Sequence, residues 1–154
     1  MILPKLNIPT YSPDIIDDGT SIKIYDCLRE KYVALTPEEW VRQNFVNYLI
    51  NNKGYPKNLL ANEVNLTLNG MQRRCDTVLY DIHICPRMII EYKRTDVNIT
   101  QKIFDQICRY NMVMHVDYLI VSNGMTHYCC KIDYEKQTYE FLEDIPDYPF
   151  NTPN

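Results

Sequence analysis

Asp76, Glu91 and Lys93 are the residues of this 154-residue chain whose types and spacing bear on chemistry. The stretch MIIEYKR, residues 88–94, runs from three apolar residues into Glu91, Tyr92, Lys93 and Arg94. Such a run reads as a strand entering a core. Side chains alternate along a strand, so Glu91 and Lys93 share one face and Tyr92 takes the other. A hairpin turn near residues 82–86 lays RRCDTVL alongside in antiparallel register, with Asp76 opposite Glu91 or one step beyond. Two carboxylates ~4 Å apart repel by about 4 kcal/mol at an effective dielectric near 20. The pair therefore calls for a cation between its members or a proton on one of them. Mg²⁺, a hard ion that takes oxygen ligands and keeps several waters, fits, with the backbone carbonyl of Tyr92 as a third protein ligand. Lys93 then lies beside a water on that ion, placed to orient it or to hold a phosphate as a point charge. The chemistry this set suits is hydrolysis of a phosphodiester.

A Glu-x-Lys pair on an exposed strand is ordinarily just a solvated face. Here the buried run before it, Met88-Ile89-Ile90, drives the charges toward a core edge. A helix predicted over residues 99–114 follows directly. It carries Lys102, Gln106 and Tyr110 four apart on one face, distinct from an apolar row of Ile99, Ile103, Ile107 and Met114. A polar row is usually solvent-facing, but the start of this helix lies near the end of the Glu-x-Lys strand.

The elements that must position these residues are legible in turn. SIKIYDCL alternates from Ile22 and KYVAL returns as its hairpin partner. TPEEWVRQNFVNYLINNKGYP is the clearest helix. Thr36 caps it, Pro37 suits its first position, and Glu39 completes a capping box. Trp40 or Val41, Phe45, Tyr48 and Leu49 form its apolar face, and Gly54 and Pro56 stop it. EVNLTLNG alternates with Val64, Leu66 and Leu68 on one face, and Asn69-Gly70 is a hairpin turn. CDTVLYDI and RMIIEYK complete a three-stranded meander. DYLIVSNG and THYCCKID read as two further strands after the second helix. The expected fold class is α/β or α+β, a mixed central sheet flanked by helices in the order α-β-β-β-α-β-β. The expected division is an irregular arm over 1–20, one domain over 21–142 and an irregular tail over 143–154.

Composition sets the outer limits. The length suits one domain with a real core, and 45% hydrophobic residues argue against disorder. No apolar run approaches a membrane span, and the N-terminus lacks the pattern of a signal peptide, so a cytoplasmic protein without a membrane partner is expected. Six cysteines, none in CxxC spacing, read as reduced thiols. His83, His115 and His127 share no ligand spacing and read as structural. The net charge of −4 does not advertise a nucleic-acid binder. Its distribution is less hostile: residues 57–110 hold eight basic and six acidic groups, whereas 133–147 hold one basic and six acidic. No GxxxxGK[ST] occurs, so no ATP site is expected in this chain.

Asp76, then EYK at 91–93, then QICRY at 106–110 resembles the PD-(D/E)XK nuclease superfamily, in its branch with a QxxxY helix. More narrowly, residues 32–133 resemble the N-terminal nuclease region of type I restriction enzyme R subunits, with a restriction-endonuclease-like core. The resemblance implies a DNA endonuclease using Mg²⁺, with Mn²⁺ as a substitute. Asp76 and Glu91 would be metal ligands and Lys93 the catalytic lysine. Gln106 and Tyr110 would support the site or contact DNA. Glu39 is the candidate first-helix acid, beside its capping role, and Glu63 is a further candidate. Arg73 and Arg74 would touch phosphates or stay solvated. The proline of the PD dipeptide is absent, Cys75 standing in its place. R subunits continue into a helicase motor, so the resemblance implies either a stand-alone relative or partners among restriction-modification or helicase subunits on other chains, with a dimer as one assembly. Two readings compete with the nuclease: a non-catalytic module of the same fold that binds DNA or a partner, and a scaffold in which Glu91 and Lys93 are an exposed pair contributing ~0–1 kcal/mol.

Overall fold

Helix α1, Pro37–Asn52, starts where its sequence says it should: the Thr36 hydroxyl accepts the Glu39 amide at 3.0 Å, and Pro37 occupies the first turn. The capping box is only half made. The Glu39 carboxylate turns to arginines instead, and the Thr36 amide donates to the Ala34 carbonyl. Val41, Phe45 and Leu49 face the sheet, whereas Trp40 lies half-buried at the rim and donates to the Pro4 carbonyl.

The computed structural model describes residues 3–150. Ahead of α1, strands β1 (Ile15–Asp17), β2 (Ile22–Asp26) and β3 (Lys31–Ala34) form an antiparallel three-stranded sheet. β1 falls within the arm expected to be irregular. Its residues, IID, are too few for alternation to show, and pairing with β2 supplies the order. After a 3-10 turn at Lys57–Leu59 comes the main sheet: β4 (Leu60–Leu68), β5 (Met71–Tyr80), β6 (Pro86–Tyr92), β7 (Tyr118–Ser122), β8 (His127–Asp133) and β9 (Thr138–Leu142), in that spatial order. All neighbours are antiparallel except β6 and β7, which run parallel because helix α2, Gln101–Met112, crosses over between them. β9 extends the expected order by one strand, and β8 supplies its ladder from Cys129 to Asp133. The last four residues of the expected tail lie outside the described ones. Residues 143–150 form neither helix nor strand but dock, with the Tyr148 amide donating to the Lys53 carbonyl and Phe150 against Tyr55 and Tyr118.

Two apolar layers result. On the α1 side lie Leu60, Leu79, Met88, Ile90, Tyr92 and Ile120, and on the α2 side Leu66, Val78, Ile89, Leu119, Val121 and Cys130. Burying each such large side chain favours the fold by roughly 1.5–3 kcal/mol. The buried row of α2 is Phe104, Cys108 and Asn111; Ile103 and Ile107 are only partly buried, one residue out of phase with the expected row. β4 changes layer along its length. Leu60 and Asn62 face α1, whereas Val64 and Leu66 face α2. Strict alternation forbids this. Glu63 makes the switch with a left-handed backbone, φ 55°, and β5 switches with it between Cys75 and Thr77. All six cysteines are free thiols. Among the described residues no helix is long and apolar enough to cross a membrane.

Candidate active site

The β5–β6 ladder ends at Thr77 opposite Ile90. Beyond it the strands part: β5 continues beside β4, and β6 beside β7, where the Lys93 amide donates to the Ser122 carbonyl. The Asp76 side chain fills the fork, its Oδ2 accepting the Tyr92 amide at 2.9 Å. A strand residue turns its N–H and C=O to the same edge, so the Tyr92 carbonyl also faces the Asp76 side.

Glu91 meets Asp76 in this fork, within hydrogen-bonding reach. Burial, then the Asp76 charge and its hydrogen bond, push the Glu91 carboxyl up to about 8, against weaker pulls from Lys93 and Asn111. Two acids so placed favour a proton on Glu91 over a second bare charge. Neither acid joins an ion pair among the described residues. Glu91 and Lys93 line a cleft of ≈ 260 Å³ with Arg74, Gln106, Ile107, Tyr110 and Asn111. Larger hollows exist, one of ≈ 470 Å³ along the β8–β9 hairpin, but they gather no buried acids.

Gln106 and Tyr110 therefore stand across the cleft from Glu91 and Lys93, both exposed. Arg73 stacks on Tyr110, its guanidinium carbon 4.2 Å from the ring centroid, and donates to the Tyr110 carbonyl at 2.7 Å. The fold does not bring Glu39 and Glu63 into the cleft as free acids. Glu63 accepts from Arg42 at 2.5 Å and from Arg74 at 2.6 and 2.9 Å. Burial pushes the Glu63 carboxyl up, but the two guanidiniums outweigh it and hold it below its ordinary range. Glu39 takes Arg29 at 2.7 Å, and its other oxygen lies 3.1 Å from Arg42 Nε, close enough for ionic attraction although off-line for a hydrogen bond. Cys75, beside Asp76, is buried, and its thiol is pushed up to about 12, so it stays neutral.

Asn111 and Arg42 were not among the residues expected here. Asn111 is buried, its Nδ2 donating to the Ile107 carbonyl and its Oδ1 without a partner. The signal for it is an amide three residues after Cys108, on the buried row of α2. The signal for Arg42 is a charge at helical spacing with Phe45, Val46 and Leu49.

Among the described residues no three His, Cys, Asp or Glu side chains gather as a metal-ligand group. The donor set is smaller: two neighbouring carboxylates and the edge of the Tyr92 carbonyl. That composition, all oxygen with a proton where a cation could stand, fits a hard divalent ion that retains water.

No curated protein matches the sequence. Among solved structures, a fragment of a protein assigned as an HsdR subunit of a type I restriction enzyme from Vibrio vulnificus YJ016 matches with a TM-score of 0.52 at 19% identity. The match covers 73% of this chain and 24% of that one, so this chain spans about a quarter of it, and at that identity the likeness is one of fold. A family model described as the type I restriction enzyme R protein N terminus matches residues 37–146. With most of its length matched, and its strands and helices arranged as in the fragment, the chain belongs to the family of type I restriction enzyme R protein N termini.

Proposed function

We propose that this chain is the DNA-cleaving domain of a type I restriction system, hydrolysing phosphodiesters with a divalent metal ion. The observation that carries the reading is the meeting of Asp76 and Glu91 beneath Lys93 in the fork between β5 and β6. Asp76, Glu91 and the Tyr92 carbonyl would hold Mg²⁺, or Mn²⁺ in its place. When bound, that ion supplies charge neutralisation at the phosphate and a more acidic water. Glu91 would have to be deprotonated to serve as a ligand, so metal binding at this pair would release a proton. Lys93 faces the cleft from the same strand face as Glu91, and its ammonium holds a phosphate oxygen or orients the attacking water. Arg74 and Gln106 flank the same cleft and contact the backbone of the substrate. The chain works with other subunits of a restriction complex in the cytoplasm, which supply site recognition and the motor.

Supercoiled DNA incubated with the pure protein and Mg²⁺ or Mn²⁺ should be nicked and linearised. Lys93→Ala should slow this at least about a hundredfold, the scale of a lost electrostatic contact in a transition state. Cleavage that survives Lys93→Ala and Asp76→Ala unchanged would sink the assignment.

A second reading, a DNA-binding module without catalysis, draws on the net charge of −4. It predicts salt-sensitive DNA binding with no Mn²⁺ uptake at millimolar concentration.

A further inference from the structure

Arg42 lies on α1, on the far side of the sheet from the cleft, with only 6% of its surface exposed. Its Nη1 donates to the main-chain carbonyl of Asp76 at 3.0 Å, and its Nη2 to Glu63 at 2.5 Å. Its guanidinium carbon stands 5.9 Å from the centre of the Tyr92 ring. Asp76 and Tyr92 are the two residues joined by the hydrogen bond that closes the fork. Arg42 thus bonds the main chain of one linked residue and faces the ring of the other, with no hydrogen bond to a carboxylate oxygen of the acid pair.

The placement matters because the ladder has stopped. From Thr77 and Ile90 toward the cleft, no β5–β6 backbone pairing fixes the gap across which Asp76 and Glu91 must meet. On the other side of Asp76 the β4–β5 pairing also skips one step, because Glu63, opposite Asp76, holds a left-handed conformation that a non-glycine residue adopts at a cost of about 1–3 kcal/mol. One planar guanidinium bonds the Asp76 carbonyl and the Glu63 carboxylate at once, a reach in two fixed directions that a lysine lacks. Arg42 is itself held by Glu39, Glu39 by Arg29, and Arg29 by Asp26, which is fully buried and also accepts from Asn62. Asp26 and Arg29 precede the stretch matched by the family. The three-stranded sheet is tied to the fork through this alternation of charges.

We propose that Arg42 is a positioning residue, setting the separation of the Asp76 and Glu91 carboxylates from behind the sheet. Its use in metal binding rests on the nuclease reading above, whereas its hold on the fork is measurable without metal. The experiment follows amide hydrogen exchange in the metal-free protein by NMR, and Mn²⁺ binding by electron paramagnetic resonance. In Arg42→Lys, exchange of the Tyr92 amide should rise about tenfold relative to the Ile120 amide, the scale of one lost charge-assisted hydrogen bond. Mn²⁺ affinity should fall by about the same factor. A merely structural role would instead speed Tyr92 and Ile120 together. Glu39→Gln loosens the anchor of Arg42 and should shift Tyr92 the same way by less, which keeps the test open if Arg42→Lys does not fold. Unchanged relative exchange at Tyr92 in the folded variant overturns the proposal, and if the wild-type protein takes up Mn²⁺ the nuclease reading outlives it. Exchange that responds to Arg42 in a protein that binds no Mn²⁺ leaves the positioning role standing and removes the nuclease reading.

Discussion

On the α1 side of the main sheet, buried carboxylates face guanidiniums: Asp26 meets Arg29, and Glu39 meets Arg29 and Arg42, while the half-buried Glu63 at the strand switch meets Arg42 from that side and Arg74 from the cleft. On the α2 side, Glu91 meets another carboxylate. Both regions lie within a few residues of the same fork, and both remove acids from water, yet the consequences are opposite. Where arginines answer the acids, opposite charges are paired within the fold and the region is structural. Where a second acid answers, the charge is left for something else to balance, and that imbalance is what a cation-binding centre needs. The acids nearest the candidate site are therefore not equivalent, and partner identity separates those braced by arginine from the two that face each other.

The largest effect is expected at Arg42. Arg42→Met leaves Glu39 and Glu63 short of a buried cation and should cost about 3 kcal/mol of stability in urea denaturation. A negligible loss would mean that the α1-side acids need no balancing. The reverse sign is expected across the sheet, where Glu91→Gln should raise the urea midpoint of the metal-free protein at pH 9 and leave it unchanged at pH 4. Glu91 has a folded value near 8 and an ordinary one of 4.5, so the folded state holds its proton more tightly. Its contribution is complete below 4.5 and disappears as pH rises through 8. Mg²⁺ should flatten that slope, and a metal-free protein equally stable at pH 5 and 9 would contradict it. Asp26 sharpens the contrast, because its carboxyl is lowered below 3.8: burial raises it, but bonds from Arg29, Asn62 and Leu28 prevail. Its contribution is present above 3.8 and is lost on acidification, so Asp26→Asn should reduce the acid-side fall in stability followed by circular dichroism. The smallest effect is expected at Arg74, whose side chain is 76% exposed. Arg74→Ala should barely move the thermal midpoint, since Arg42 still answers Glu63.

Much of the frame was readable from local chemistry. Thr36 and Pro37 start α1, and Asn69 and Gly70 take the positive φ values, 51° and 78°, that a tight hairpin turn requires. The alternation of Val64, Leu66 and Leu68 marks the α2 side correctly. What alternation does not carry is the change of side at Glu63, because a strand that switches layers looks continuous to a two-residue period. β9 was hidden for a related reason: the residues TYEFL sit within an acidic stretch and take their order from β8. The meeting of Asp76 with Glu91 followed from counting back from the β5–β6 turn. Three of the arginine pairings did not, because Arg29–Glu39, Arg42–Glu63 and Arg74–Glu63 are 10, 21 and 11 residues apart and only the fold selects them. For the same reason Glu39 reads as a capping acid in the sequence and as an arginine partner in the structure.

Glu63 asks of its backbone what glycine gives freely. An engineer seeking a hardier protein would be drawn to Glu63→Gly, and the local relief would be real. The exchange would also strip the one anion shared by a guanidinium from the interior and another from the surface, leaving Arg42 and Arg74 to repel across the gap. Comfort at that single residue and order in its surroundings are therefore rival goods, and the native chain has chosen the surroundings.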